Sequence, residues 1–313
     1  RSASNTSWFA TAVKLATSTK MNCKTWFTPI AKNYESITTR NMILIPDVLQ
    51  FDFMRRALAV GLIVAAVAPT IGLFFVVRRY SAIADTLAHV SLAGVAAALV
   101  AGTAAIPTAF LVSVASVLGI EHLREKKTLH PDTIVSLFLF GGLALGVVLL
   151  GFSHGRNVNI VNYLFGNILT VSQTDIISVA VIGGIAFLLT LLLWRQLFAV
   201  AIDEDSAEAA GIHVKTLNRV LSILGAATIA ISMNVVGVLL IGALMVIPVL
   251  AAMQFRLGFH GTWRLSLIFS FLSVIFGLIA SFYLNLASGG TIVLSAIICF
   301  MVASLVAGQQ RGK

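Results

Sequence analysis

The chain has 313 residues, 58% of them hydrophobic and 11% charged, with a mean hydropathy of +0.99 and a formal net charge of +9. A water-soluble domain carries about a quarter of its residues charged, so this composition excludes a soluble globular protein and predicts an integral membrane one. Two cysteines, Cys23 and Cys299, stand far apart and outside any C-x-x-C spacing, so neither a disulfide framework nor a thiolate metal cage is suggested.

Residues 1–52 differ from the rest. They are rich in Ser, Thr and Asn, carry six basic residues against three acidic ones, and contain no apolar run long enough for a signal-peptide core. They read as an N-terminal extension, disordered or non-native, with a composition like that of an organellar transit peptide. Two readings stand for residues 1–41: an upstream extension without a role in function, Met42 being the natural start, or a genuine tail on the outer side of the membrane.

Residues 53–313 form the membrane domain, an all-α, polytopic helical bundle. Apolar stretches of roughly 16 to 21 residues alternate with short polar loops, as expected when ~20 residues at 1.5 Å each cross ~30 Å of hydrocarbon. Basic residues mark every second loop: Arg78 and Arg79; Arg124, Lys126 and Lys127; Arg195, Lys215 and Arg219; Arg256 and Arg264; Arg311 and Lys313. The alternate loops, near 102, 154–174 and 285–290, contain only Arg156. The positive-inside rule assigns the first set, and the C-terminus, to the cytoplasm. The net charge therefore follows membrane topology and gives no sign of nucleic-acid binding. Arg55 and Arg56 fall on the opposite side by this count and are expected to snorkel to the outer headgroups.

Residues 80–102, "YSAIADTLAHVSLAGVAAALVAG", read as a span that contains Asp85 and His89. Of six histidines, His122, His130, His213 and His260 fall in cytoplasmic loops and His154 in an outer one, leaving His89 as the one within a span. A carboxylate inside a bilayer costs several kcal/mol and normally faces the bundle interior on an ion or proton route. The i, i+4 spacing puts both side chains on one helical face, ~6 Å apart at Cβ. Three readings stay open from spacing alone: two ligands for a divalent cation, a hydrogen-bonded pair or helix-end partner, and a proton relay. Imidazole nitrogen with carboxylate oxygen suits zinc or manganese.

Further along, Pro69, Pro107 and Pro248 fall within spans. Residues 162–172, "NYLFGNILTVS", predict a short helix at the outer face. Residues 199–219, "AVAIDEDSAEAAGIHVKTLNR", hold Asp203, Glu204, Asp205 and Glu208, then a small-residue stretch through Ala209 and Ala210 to Gly211, which predicts a helix C-cap. This segment is either a solvated loop or a helix that docks a partner at the membrane surface. Residues 220–253 run 34 residues without a charge. As one helix they would extend ~51 Å, well over a bilayer. They are expected to go out and return, turning near Ser232, Asn234 and Gly237, for eight or nine crossings in all. No G-x-x-x-x-G-K-[ST] run occurs in this sequence, so an ATP-driven process would need an ATPase on another polypeptide.

Six segments, "FMRRALAVGLIVAAVAPTIGLFFVVRR", "DTLAHVSLAGVA", "YLFGNILTVSQTD", "AIDEDSAEAAGI", "VVGVLLIGALMVIPVLAA" and "SGGTIVLSAI", occur in this order between about 53 and 309. Together they resemble the membrane permease subunits of zinc and manganese ABC importers, the metal ABC transporter permease family. The resemblance implies a type II ABC importer permease-like bundle in a bacterial plasma membrane, a homodimer with its pore on the two-fold axis. It implies a cytoplasmic ABC ATPase dimer, an extracytoplasmic metal-binding protein, a non-enzymatic transport role and no permanently bound cofactor. Asp85 and His89 match the family's metal ligands. Asp203, Glu204, Asp205, Glu208, Ala209, Ala210 and Gly211 match its ATPase-coupling helix, within a cytoplasmic segment of about 199–218. "DTLAHVSLAG" is similar to the zinc permeases, whereas manganese and iron members more often read like "DAISHAVLPG". An ATP-independent secondary metal transporter is the other class, and it would be expected to carry inverted repeats.

Overall fold

The computed structural model describes residues 51–126, 129–152, 164–167, 172–233, 236–238 and 240–311. The expectations for residues 1–50, for His154 and Arg156, and for most of the helix at 162–172 lie outside the described residues. Among those described, every regular element is helical, in the order α1 (Asp52–Val77), α2 (Ser81–Ala101), α3 (Ala105–Glu125), α4 (Pro131–Phe152), α5 (Gln173–Leu192), α6 (Trp194–Ile202), α7 (Glu204–Ala209), α8 (Val214–Ser232), α9 (Ile241–Met253), α10 (Phe259–Leu284) and α11 (Ser288–Arg311).

Eight of these helices are long and apolar enough to cross a membrane, and α9 is a shorter apolar one. The uncharged run at 220–253 does turn back on itself: α8 ends at Ser232, α9 begins at Ile241, and Gly237 between them has φ +85°. With 13 residues, α9 is ~20 Å long, short of a full crossing. The chain entering it is not helical, yet Met233, Val236 and Val238 are fully buried. Irregular backbone at membrane depth is tolerated where protein surrounds it. Here the wrapping is close: a Cβ on Gly237 would lie 2.5 Å from the carbonyl oxygen of Leu164, and one on Gly289 1.8 Å from that of Val236.

Burial separates inner helices from outer ones. Most of α1 and α2 is buried, whereas α4 and α5 turn most of their length outward. Outward residues such as Phe140, Val147, Leu188, Leu192, Ile298 and Leu305 are large and apolar, as a lipid-facing surface requires. Several buried hydroxyls are satisfied locally: Thr70, Thr190, Thr228 and Ser232 each donate to the carbonyl four residues earlier, at 2.5 to 2.8 Å, whereas Ser91, Ser113 and Ser270 have no hydrogen-bond partner among the described residues. Polar contacts also join helices, among them Trp263 Nε1 to Thr70 Oγ1 at 3.1 Å and Thr86 Oγ1 to the Val135 carbonyl at 3.3 Å. Of the three prolines, Pro69 and Pro248 lie inside α1 and α9, while Pro107 sits in the first turn of α3, where its missing N–H breaks no helical bond.

Without a hydrophobic driving force between helices in lipid, close backbone approach at small residues carries much of the association. Gly72 of α1 is such a point, since a Cβ there would lie 2.0 Å from the Met245 carbonyl oxygen of α9. Backbone cannot swing aside as a side chain can. Gly72→Ala is therefore expected to lower the detergent melting temperature, by an overpacking cost of about 1–3 kcal/mol. Gly184→Ala on α5, with nothing within 4 Å of the new methyl, is the matched control and should not lower it. Equal melting temperatures for the two variants would contradict the α1–α9 packing.

Candidate functional site

Helix α2 is buried along most of its length, yet Asp85 is exposed and His89 half-buried. Ala82, three residues before Asp85, is also exposed, so the opening lies on one face of the helix. Among the described residues no hydrogen bond or ion pair joins Asp85 to His89, and His89 Nδ1 is buried without a hydrogen-bond partner. The two side chains thus share a face without bonding each other, which is not the hydrogen-bonded pair weighed from spacing.

Asp85 instead leans on α9. Its Oδ1 lies over Gly242, in the first turn of that helix, where an added Cβ would come within 2.4 Å of the oxygen. The N-terminal end of a helix carries partial positive charge from unpaired N–H groups and favours a nearby carboxylate. By helical spacing Val246, Leu250 and Met253 follow on the same side of α9; Val246 is half-buried and the other two are exposed. Among the described residues no three His, Cys, Asp or Glu side chains gather to hold a metal ion.

The acidic segment folds as two short helices. Asp203 is the N-cap of α7: it accepts from the backbone N–H of Asp205 at 3.1 Å and from Ser206 Oγ at 2.5 Å. The Ser206 hydrogen bonds hold the Asp203 carboxyl below the usual carboxylate range, so the cap persists at neutral pH and is lost only in strong acid. At the other end Gly211 has φ +86°, its N–H bonds the Glu208 carbonyl at 2.9 Å, and the Ile212 N–H bonds that of Ala207 at 3.0 Å. This is a Schellman stop, with Ala210 as the cap and Gly211 the left-handed residue after it. Asp205, Glu208, Ala209, Ala210 and Gly211 are exposed and Ala207 is buried. Glu204 behaves differently from its acidic neighbours, because it is paired with Arg78 inside the chain.

Three contributors escaped the reading of the sequence. Gly242 carried no local signal, since a glycine near a helix start has many explanations. Ile202 carried no signal of its own within the acidic segment, but it stands 67% exposed beside α7 and adds an apolar knob to the acidic surface. Arg78 was counted only as a topology marker, and its side chain is 3% exposed. A basic residue whose partners lie far off in sequence gives no sign of them there.

A model of the ABC 3 transport family matches residues 50–307. A probable metal transport system membrane protein of Treponema pallidum is 37% identical over 264 residues, covering 82% of this chain and 97% of the relative. The high-affinity zinc uptake system membrane protein ZnuB of Haemophilus influenzae is 31% identical over 254 residues, covering 81% and 97%. The manganese transport system membrane protein MntC of Listeria monocytogenes is 30% identical over 269 residues, covering 86% and 96%. Among solved structures, PsaBC from Streptococcus pneumoniae in complex with Fab matches with a TM-score of 0.77 at 28% identity, covering 86% of this chain and 98% of that one.

Gly242 gives the site its test. A methyl group there meets a movable carboxylate rather than backbone, so Gly242→Ala should leave the fold intact and displace Asp85 from α9. Overpacking of about 1–3 kcal/mol at this contact should slow zinc or manganese uptake by cells carrying the variant about tenfold. Wild-type uptake by Gly242→Ala would separate Asp85's position at α9 from any part in transport.

Proposed function

This chain belongs to the ABC 3 transport family, and from that premise we propose that it is the permease subunit of an ATP-driven importer for a divalent transition metal, zinc being the cargo. The observation that carries the reading is the opening on α2, where Asp85 and His89 stand on one face of a helix otherwise packed in apolar surroundings. A carboxylate and an imidazole placed there serve no packing purpose and have the donor chemistry of a zinc or manganese site. Two copies around a two-fold axis would bring two Asp and two His together, a four-ligand set without cysteine. Each ligand pair alone grips weakly, which is what a passage site needs in order to release.

The relatives whose names specify zinc and manganese are almost equally similar, at 31% and 30% identity, so overall likeness does not choose between the metals. The zinc reading rests on the residues around the ligands, "DTLAHVSLAG". Manganese or iron import by the same family machinery is the second reading. The energy source would be a separate cytoplasmic ATPase pair seated on α7 and its flanks, where Asp205, Glu208 and Ala209 of the helix are exposed together with its cap Ala210 and with Ile202 at the end of α6. An extracytoplasmic metal-binding protein would deliver the ion. The charge distribution supports α7 and the C-terminus lying on the cytoplasmic side of a bacterial plasma membrane.

Two experiments follow. Asp85→Ala and His89→Ala should each abolish uptake of labelled zinc while membrane insertion and self-association persist, and excess manganese measures which ion is preferred. Wild-type uptake in Asp85→Ala would exclude it as a ligand. Ala210→Trp should overfill the contact with the ATPase, at a cost of about 1–3 kcal/mol of docking. Full recovery of the ATPase in pull-down, with undiminished uptake, would show that α7 is merely solvated.

A further inference from the structure

Helices α1 and α2 are joined by only three residues, Arg78, Arg79 and Tyr80. The turn is tight: the N–H groups of Arg78, Arg79 and Tyr80 bond the carbonyls of Phe74, Val76 and Phe75 at 3.0, 3.1 and 2.7 Å, and Arg79 has φ +58°. From this turn the Arg78 guanidinium reaches in two directions. Its Nη1 donates to Asn218 Oδ1 of α8 at 2.6 Å, and its Nη2 pairs with Glu204, the first residue of α7. The side chain is 3% exposed, so these partners replace water for a buried charge.

The same guanidinium packs on the Tyr80 ring, with Cζ 4.6 Å from its centroid, and Arg124 of α3 packs on that ring at 4.5 Å. Arg124 Nη1 is 3.4 Å from Glu121, which accepts from Ser222 Oγ of α8 at 3.5 Å. The series Glu204, Arg78, Tyr80, Arg124, Glu121 joins two acid–guanidinium pairs through one neutral ring, and it links α7, the α1–α2 turn, α3 and α8. Tyr80 is the N-cap of α2, five residues before Asp85, or ~7.5 Å along the helix axis.

We propose that Arg78 is the positioning residue that joins the ATPase-facing helix α7 to the metal-ligand helix α2, so that displacement of α7 is passed to Asp85 and His89. The proposal rests on the transport reading above. Glu204 thereby has an internal role, as the α7 end of a bridge, rather than a place on the partner's surface. Its pairing is fixed on one side by a buried fork and on the other by the capped start of α7. A guanidinium suits the role because its planar donors hold two acceptors in one geometry, which an ammonium does not.

The test uses the permease reconstituted in liposomes with its ATPase and metal-binding subunits, with zinc as the probe and uptake measured against ATP hydrolysed. Arg78→Gln should leave the ATPase bound and basal hydrolysis within about twofold of wild type, while zinc imported per ATP falls about tenfold or more, as loss of a charged hydrogen bond implies. Arg78→Lys, which restores the charge opposite Glu204 but not the fork, should recover part of that ratio. A purely structural role would lower assembly and leave the ratio of the surviving complex unchanged. Should Arg78→Gln fail to assemble, Glu204→Gln decides, because it cuts the same bridge at its exposed end; a reduced ratio supports the bridge. An unchanged ratio in either assembled variant would overturn this proposal alone. Absence of ATP-driven zinc or manganese uptake by the wild-type complex would overturn the transport reading and this proposal with it.

Discussion

A bilayer interior offers a peptide group nothing to bond to, and in this chain that constraint orders everything else. It dictates helices as the spanning elements, sets their length, and turns buried threonines and serines back onto their own helices. It also gives meaning to departures from the pattern. The irregular entry to α9 is admissible only because protein encloses it, with the backbone at 164–166 and Gly289 pressed against residues 236–237. Likewise Asp85 and His89 are informative because a hydrocarbon environment makes any polar side chain without a task expensive.

A broken helix has an electrostatic consequence that an unbroken one lacks. Were α8 and α9 a continuous rod, their N–H groups would be consumed within it. Stopping one at Ser232 and starting the other at Ile241 places a fresh set of unpaired N–H groups inside the bundle, next to the Asp85 carboxylate. The carboxylate then has a partial positive end beside it with no cation bound, which lowers the cost of keeping it in the bundle. In the proposed transport role the same interaction would compete with a passing cation. Competition of this kind makes capture weaker and release easier.

Much of this was legible in the sequence because it depends on local pattern. Apolar run lengths gave the spanning helices, and the arithmetic of 34 uncharged residues required a reversal near Gly237. An i, i+4 pair inside one run singled out Asp85 and His89, and the composition of 199–218 located a capped helix ending before Gly211. What was not legible depends on pairing between distant segments. The 13-residue length of α9 could not be read, since apolar composition continues unbroken through a non-helical stretch. Gly242 acquires its meaning from Asp85, and Arg78 from Glu204 and Asn218, residues more than a hundred positions away. Pro107 does fall within a span, but hydropathy shows where a span lies and not where its first turn begins, so its place in the first turn of α3 was not legible.

The placement of charges also bears on how energy could reach the ligand helix. Helices packed through lipid-like surfaces slide easily, because apolar contacts are non-directional and one register resembles the next. A pushed element transmits direction only where its contacts are specific. At the end of the bundle carrying Arg78, the contacts are charged, buried or stacked, and they converge on a three-residue turn with little slack. At the level of Asp85 the neighbouring contact is a carboxylate over a glycine, which has no side chain to resist a shift. A stiff joint at one end and a compliant one beside the proposed ligand is the arrangement in which a small displacement of α7 would change the surroundings of Asp85 without unpacking α1. The polar bridge is thus better suited to directing motion than to stabilising the fold, since an ion pair with one partner half-exposed adds little net stability.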